Sequence, residues 1–236
     1  MLIDAHLSPE FRPSFCLCRK LPHSYRIAVV GDSYAYGLGV SRDQALPSQL
    51  EYLLNARLHS LHFEVVNLGR PGLNIFDEWS VLRQMRAWAE YDFVVLCISS
   101  DDAQPWSRQE LARRVPDWRV AWREQWDPSS EAYQWAAMAL KRLVHEQRSL
   151  GTNVVVVFYE PVGSTAERAL HMIEQVCSEL QIPWLDLASP FRRFSRDDLT
   201  VSIVDGHQVR WRIGSLLQRC WARFWECYLR PGVSAT

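Results

Sequence analysis

Short apolar runs rich in β-branched residues recur along this chain, and each gives way to a longer stretch with helical spacing. Tyr25 to Val30 is the first run and stops at Gly31; Phe63 to Asn67, Asp92 to Ile98, Asn153 to Tyr159 and Pro183 to Leu187 follow. Between them, Gln44 to Leu58, Asp77 to Ala89, Glu131 to Leu150 and Ser164 to Leu180 place apolar residues three and four apart, and Val209 to Leu229 closes the chain in the same way. Asp77 is the expected N-cap of its helix, and Gly151 ends the long one. The runs are apolar at consecutive positions, so both faces of each strand need cover. Buried strands that alternate with helices pair in parallel, through right-handed crossovers. The expected fold class is α/β, a three-layer α/β/α sandwich around a five-stranded parallel sheet. With 236 residues, 48% of them hydrophobic, the chain buries such a core without staples.

The pattern also sets boundaries. Residues 1–24, broken by Pro9, Pro13 and Pro22, are expected to form an arm; 25–230 form the main domain, and 231–236 a tail. Residues 103–131 stand apart, with Pro105, Pro116, Pro128 and four Trp among many charges. They are expected to form an insertion.

Composition excludes several classes. A net charge of −1 gives no general basis for binding nucleic acid or an anionic membrane. The two lysines, Lys20 and Lys141, do not follow glycine, which excludes a Walker A phosphate loop. The longest apolar stretch, Val154 to Tyr159, is far short of a membrane span. The start, Met-Leu-Ile-Asp-Ala-His, does not read as a signal peptide. A cytoplasmic protein is therefore expected, with its six cysteines reduced. Cys16-x-Cys18 has no second pair at zinc-ligand spacing, so no metal is expected.

In parallel sheets, ligands bind at the carboxyl ends of the strands. The first strand runs into Gly31-Asp32-Ser33-Tyr34, the second into Asn67-Leu68-Gly69-Arg70-Pro71-Gly72, and the third into Ser99-Ser100-Asp101-Asp102. Asp205-Gly206-His207 precedes the last helix. A serine at a strand–helix turn presents its hydroxyl at the sheet edge. It needs a base, and the base needs an acceptor on its second nitrogen. Ser33, His207 and Asp205 supply these three roles.

Gly31-Asp32-Ser33, Gly72 and Asp205-x-His207, in this order and spacing from Tyr25 to Leu229, resemble the GDSL/SGNH hydrolases. The stretch Gly31 to Val40, together with the short Asp-x-His spacing, is similar to a bacterial branch of that family. The resemblance implies a flavodoxin-like sandwich and esterase, lipase or deacetylase chemistry without metal or organic cofactor. It casts Ser33 as nucleophile, His207 as base and Asp205 as its orienting acid. The backbone N–H groups of Ser33 and Gly72 match two oxyanion donors. A third family donor, an asparagine after the third strand, is replaced by Asp101. An ionised carboxylate has no hydrogen to donate. Three readings follow: Asp101 is protonated, points elsewhere, or holds a cationic group of the substrate.

The remaining candidates each have two readings. Asp32 braces its turn or joins the catalysis. Asn67 braces the second turn. Asn74 braces a turn or touches substrate, and Asp102 caps a turn or touches substrate. Trp118, Trp122 and Trp126 recur every four residues, along one face of a helix. That face either packs on the body or forms a lid over Ser33, suited to a sugar ring or an acyl chain. Arg113, Arg114, Arg119 and Arg123 beside them are solvated, or bind the anionic arm of an acyl-CoA or carrier-protein donor. The function expected is hydrolysis of an O-acyl ester of a small or carbohydrate-like molecule through acyl-Ser33. The alternatives are acyl transfer by the same intermediate, or binding alone on this scaffold.

Overall fold

The computed structural model describes residues 20–87, 89–106, 108–159 and 166–187. Five strands form one sheet: β1 (Ser24–Val30), β2 (His62–Asn67), β3 (Phe93–Ile98), β4 (Asn153–Phe158) and β5 (Trp184–Asp186). All pairings are parallel and the spatial order is β2-β1-β3-β4-β5. The order reverses direction at β1, whose neighbours lie on opposite sides of it. The crevice outside the carboxyl end of β1 is thus the sheet's switch point.

Each strand feeds both cores, because successive side chains point to opposite faces. Ala28, Val30, Val94, Leu96, Ile98, Val154, Val156 and Phe158 pack on one face. That face meets α3 (Ile75–Arg86), α6 (Glu131–Ser149) and α7 (Ala166–Leu180). Ile27, Val29, Phe93, Val95, Cys97, Val155 and Val157 pack on the other, against Leu46, Leu50 and Leu54 of α2 (Leu46–Arg57). This satisfies the two-sided cover that the apolar runs require.

The element ends depart from the expected bounds for local reasons. The helix expected from Gln44 starts at Leu46, with Pro47 in the first turn, where a missing N–H costs nothing. Asp92 lies just before β3; its carboxylate accepts the Arg26 N–H at 2.7 Å and Lys20 Nζ at 2.6 Å. Asp77 is not the cap of α3. Asn74 caps it, with Oδ1 accepting the N–H groups of Phe76 at 2.9 Å and Asp77 at 3.1 Å. Asp77 is the third helical residue and completes the capping box, accepting the Asn74 N–H at 3.4 Å. The arm at 1–19, the helix expected at Val209–Leu229 and the tail lie outside the described residues. Among the described residues, no helix is long and apolar enough to cross a membrane.

Candidate active site

Ser33 is the first residue of α1 (Ser33–Tyr36), directly past β1, and is nearly buried. Its turn is built tightly. A Cβ on Gly31 would stand 2.7 Å from the Ala35 Cβ and 2.8 Å from the Cys97 Cβ, so only glycine brings β1 this close to β3 and α1. Asp32 caps α1, its Oδ1 accepting the Tyr34 N–H at 2.9 Å. This is the bracing role, and it sets the orientation of the residue between them. Tyr34 in turn packs its ring 5.4 Å from that of buried Tyr159.

The β2 exit is tied to the same turn. The Arg70 N–H donates to the Gly31 carbonyl at 3.0 Å, and Asn67 Nδ2 donates to the Tyr36 carbonyl at 3.1 Å. Asn67 Oδ1 also accepts the Gly69 N–H at 2.9 Å, so Asn67 braces the turn as expected. Gly72 has a φ of 81° and nothing within 4 Å of the space a Cβ would take. This left-handed backbone favours glycine, and the space beside the residue is open. Asn74 follows as the α3 cap, which occupies its side-chain oxygen with backbone donors.

The β3 exit joins through α3, because the Ile75 N–H donates to the Asp102 carbonyl at 3.3 Å. Asp101 is exposed, and its N–H donates to Ser99 Oγ at 3.3 Å. Asp102 is buried, and its Oδ2 accepts the Ser99 N–H. The Asp102 carboxylate therefore works as a turn cap facing inward, while Asp101 faces solvent. Burial, followed by the charges of Asp32 and Glu78, pushes the Asp102 carboxyl well above the ordinary range.

The aromatic segment differs from its expected form. Pro116 divides it into α4 (Arg108–Arg114) and α5 (Trp118–Arg123), since proline disfavours helix in the residue before it. Trp118 and Trp122 lie on α5 and are half-buried. Trp126 lies beyond that helix and is fully buried, donating Nε1–H to the Ser100 carbonyl at 2.6 Å. The three Trp do not share a helix face; Trp126 is a core anchor. Gln104 Nε2 adds a second tie, donating to the Ala121 carbonyl at 3.1 Å. The segment is thus pinned to the β3 exit, on the edge that carries Ser33. Arg119 lies 4.8 Å over the Trp118 ring and Arg114 5.2 Å over the Trp106 ring. Arg113, Arg114, Arg119 and Arg123 are exposed.

The structure therefore gathers Ser33, Asp32, Gly72, Asn74, Asp101 and Asp102 at one rim. His207 and Asp205 lie outside the described residues. Two further residues carry charged groups that burial perturbs. Arg70 stands between Gly69 and Pro71, and burial draws its guanidinium below the ordinary range. Glu78 is fully buried on the inner face of α3. The signal for Glu78 was in the sequence: a carboxyl at the core position of the stripe Ile75, Glu78, Val81, Leu82, Met85.

The GDSL-like Lipase/Acylhydrolase family profile matches residues 29–207, from the end of β1 to His207. The chain belongs to this family. Membership makes it an SGNH-type esterase, with ester hydrolysis as its general activity. Solved structures share the fold at low identity. A catalytic variant of Axe2, an acetylxylan esterase from Geobacillus stearothermophilus, matches with a TM-score of 0.62 and 17% identity, over 87% of this chain and 95% of that one. TesA matches with a TM-score of 0.59 and 17% identity, over 84% of this chain and 96% of that one. No curated protein matches the chain in sequence.

Proposed function

We propose that this GDSL-family esterase cleaves an O-acyl ester of a small or carbohydrate-like molecule through an acyl-Ser33 intermediate. The observation that carries this reading is the placement of Ser33 at the switch point, in a turn locked by Gly31 and Asp32 and bonded to the strand that leads to Gly72. Ser33 Oγ attacks the acyl carbonyl while His207 takes its proton. Asp205 accepts from the other imidazole nitrogen and holds the tautomer. The N–H groups of Ser33 and Gly72 receive the oxyanion. Collapse expels the alcohol, which takes the proton from His207. Water, deprotonated by His207, then attacks the acyl-serine and releases the acid. No metal or organic cofactor takes part.

Asp101 does not serve as an oxyanion donor in this scheme. It stands exposed at the rim, where it meets the substrate's alcohol portion. The half-buried Trp118 and Trp122 on the same edge suit a sugar ring, and Axe2, which shares the fold, is an acetylxylan esterase. The free thiols of Cys97 and Cys177 agree with a cytoplasmic site of action.

A fluorophosphonate probe followed by digestion and mass spectrometry tests the nucleophile. The wild type should carry the label on Ser33, and Ser33→Ala and His207→Ala should lose it. Labelling that survives in Ser33→Ala, or a wild type that takes none, overturns the scheme. Acyl transfer is the second reading, favoured by the pinning of the Trp- and Arg-bearing segment at the β3 exit. Product analysis with added alcohols, amines, and acyl-CoA or carrier-protein thioester donors separates transfer from hydrolysis.

A further inference from the structure

Several cations of the body have carboxylate partners. Lys20 meets Asp92 at 2.6 Å, Arg26 meets Glu64 at 2.8 Å, Lys141 meets Glu179 at 2.6 Å and Arg83 meets Glu146 at 3.4 Å. Arg113 and Arg114 of α4 and Arg119 and Arg123 of α5 are exposed, and among the described residues none of them is in an ion pair. Acids are not lacking in the same segment: Glu110, Asp117 and Glu124 are exposed there as well.

The partners of these arginines are aromatic instead. The Arg119 guanidinium lies 4.8 Å over the Trp118 ring. Arg114 lies 5.2 Å over the Trp106 ring, which meets Trp135 of α6 edge-on at 6.0 Å. Arg123 Nε–H donates to the Arg119 carbonyl at 3.2 Å. Residues four apart on a helix stand one above the other, so Trp118 and Trp122 form one row along α5 and Arg119 and Arg123 the row beside it. The Trp row is half-buried and the Arg row is exposed. Both rows are held at the β3 exit, because Trp126 donates to the Ser100 carbonyl and Gln104 donates to the Ala121 carbonyl within α5. They therefore lie on the edge that carries Ser33.

This pairing of side chains has a specific chemistry. A guanidinium resting on an indole is planar and always charged, and its fork grips a carboxylate through two parallel hydrogen bonds. The part-exposed indole beside it takes the apolar face of a sugar ring. A sugar acid presents both groups within one unit. We propose that the Arg- and Trp-bearing face of α4 and α5 binds the uronic acid units of an acidic O-acylated saccharide, so that this esterase acts on an anionic carbohydrate ester. The inference rests on the carbohydrate-ester reading above and adds the charge of the substrate. Asp101 is itself acidic, so the unit at Ser33 carries the acyl group, and the acids belong to the units that reach α5.

Binding and turnover test it separately. Binding is measured by calorimetry on Ser33→Ala, with a de-esterified oligogalacturonide and a neutral xylo-oligosaccharide of equal length. The acidic chain should bind more tightly. Adding Arg119→Gln and Arg123→Gln should weaken its binding about tenfold, the scale of two exposed ion pairs, and leave the neutral chain as it was. Raising the ionic strength should weaken the acidic chain alone, a readout that needs no further variant. In turnover, the ratio of kcat/KM on acetylated oligogalacturonide to that on acetylated xylo-oligosaccharide should fall in the double Arg variant. Equal binding of the two chains, or an acidic chain that binds the double variant as tightly and with the same salt dependence, overturns the inference. So does a preference for an acyl-CoA or carrier-protein thioester that the double variant loses. A wild type that cleaves neither ester while the Ser33→Ala protein still prefers the acidic chain overturns the esterase reading and leaves the binding face standing.

Discussion

The exits of β1 and β3 lie on one rim and are built by opposite means. The β1 exit is a backbone construction: a glycine too close to its neighbours for any side chain, a cap from Asp32, and carbonyls bonded to the next strand's loop. The β3 exit is a side-chain construction. Asp102 folds back onto the Ser99 N–H, Trp126 anchors on the Ser100 carbonyl, and α4 and α5 are hung from it. A backbone-built turn fixes one serine to within narrow limits. A side-chain-built loop leaves the residues above it open to variation, and it is there that Asp101 stands. In the proposed scheme, chemistry and recognition fall to different strand ends of the same sheet.

The largest effect should come from the backbone-built side. Ser33→Ala should reduce kcat/KM on an aryl acetate by about 10⁴-fold or more, as loss of a serine nucleophile does elsewhere. Activity within tenfold of wild type would dissolve the contrast, since the β1 exit would then be scaffold only. Next is the anchor of the side-chain-built side. Trp126→Ala should cost about 3–5 kcal/mol of stability, measured by denaturant unfolding, because it empties a fully buried site and removes the hydrogen bond to the Ser100 carbonyl. A small effect would mean that the segment is held by other contacts.

Asp101→Asn sharpens the comparison further. It supplies a neutral side-chain donor at the rim. One oxyanion-hole donor is worth about 10²–10³ in rate, so hydrolysis of a generic ester should rise toward that range. An unchanged rate on the generic ester, with a loss on the native substrate, would assign Asp101 wholly to recognition. Asn74→Ala removes the α3 cap and should cost about 1 kcal/mol, seen as a lower Tm with KM little changed. A large rise in KM at constant Tm would instead place Asn74 on the substrate. The smallest stability effect belongs to Trp118→Ala and Trp122→Ala. These half-buried rings should cost less than about 1 kcal/mol each and raise KM for a sugar ester. Equal destabilisation by Trp118→Ala, Trp122→Ala and Trp126→Ala would erase the distinction between anchor and rim.

The β1 exit was readable in advance because its determinants are local. Gly31, Asp32 and Ser33 are consecutive, and the apolar run before them marks where the strand ends. Asn67 was readable for the same reason, since its cap spans two residues. The cap of α3 lies three residues before the expected Asp77. Asn74 and Asp77 are both competent caps, and the choice between them depends on Ile75 reaching the Asp102 carbonyl across the rim. The four-residue spacing of Trp118, Trp122 and Trp126 suggested one face. Pro116 shortened the helix, and a carbonyl 26 residues earlier in the chain drew Trp126 into the core.

Periodicity and turn residues by themselves determined the order of strands and helices, the two-sided burial of the sheet and the position of Ser33 just past β1. Each of these depends on neighbours within a few residues, where bond geometry and side-chain alternation act directly. Only the tertiary structure decided that Trp126 is an anchor, that Asp102 turns inward while Asp101 faces solvent, and that Glu78 shares the interior with two other acids. Those outcomes rest on distance and dielectric between groups remote in sequence. A carboxyl's charge is set by what surrounds it, and folding took Glu78 and Asp102 out of water.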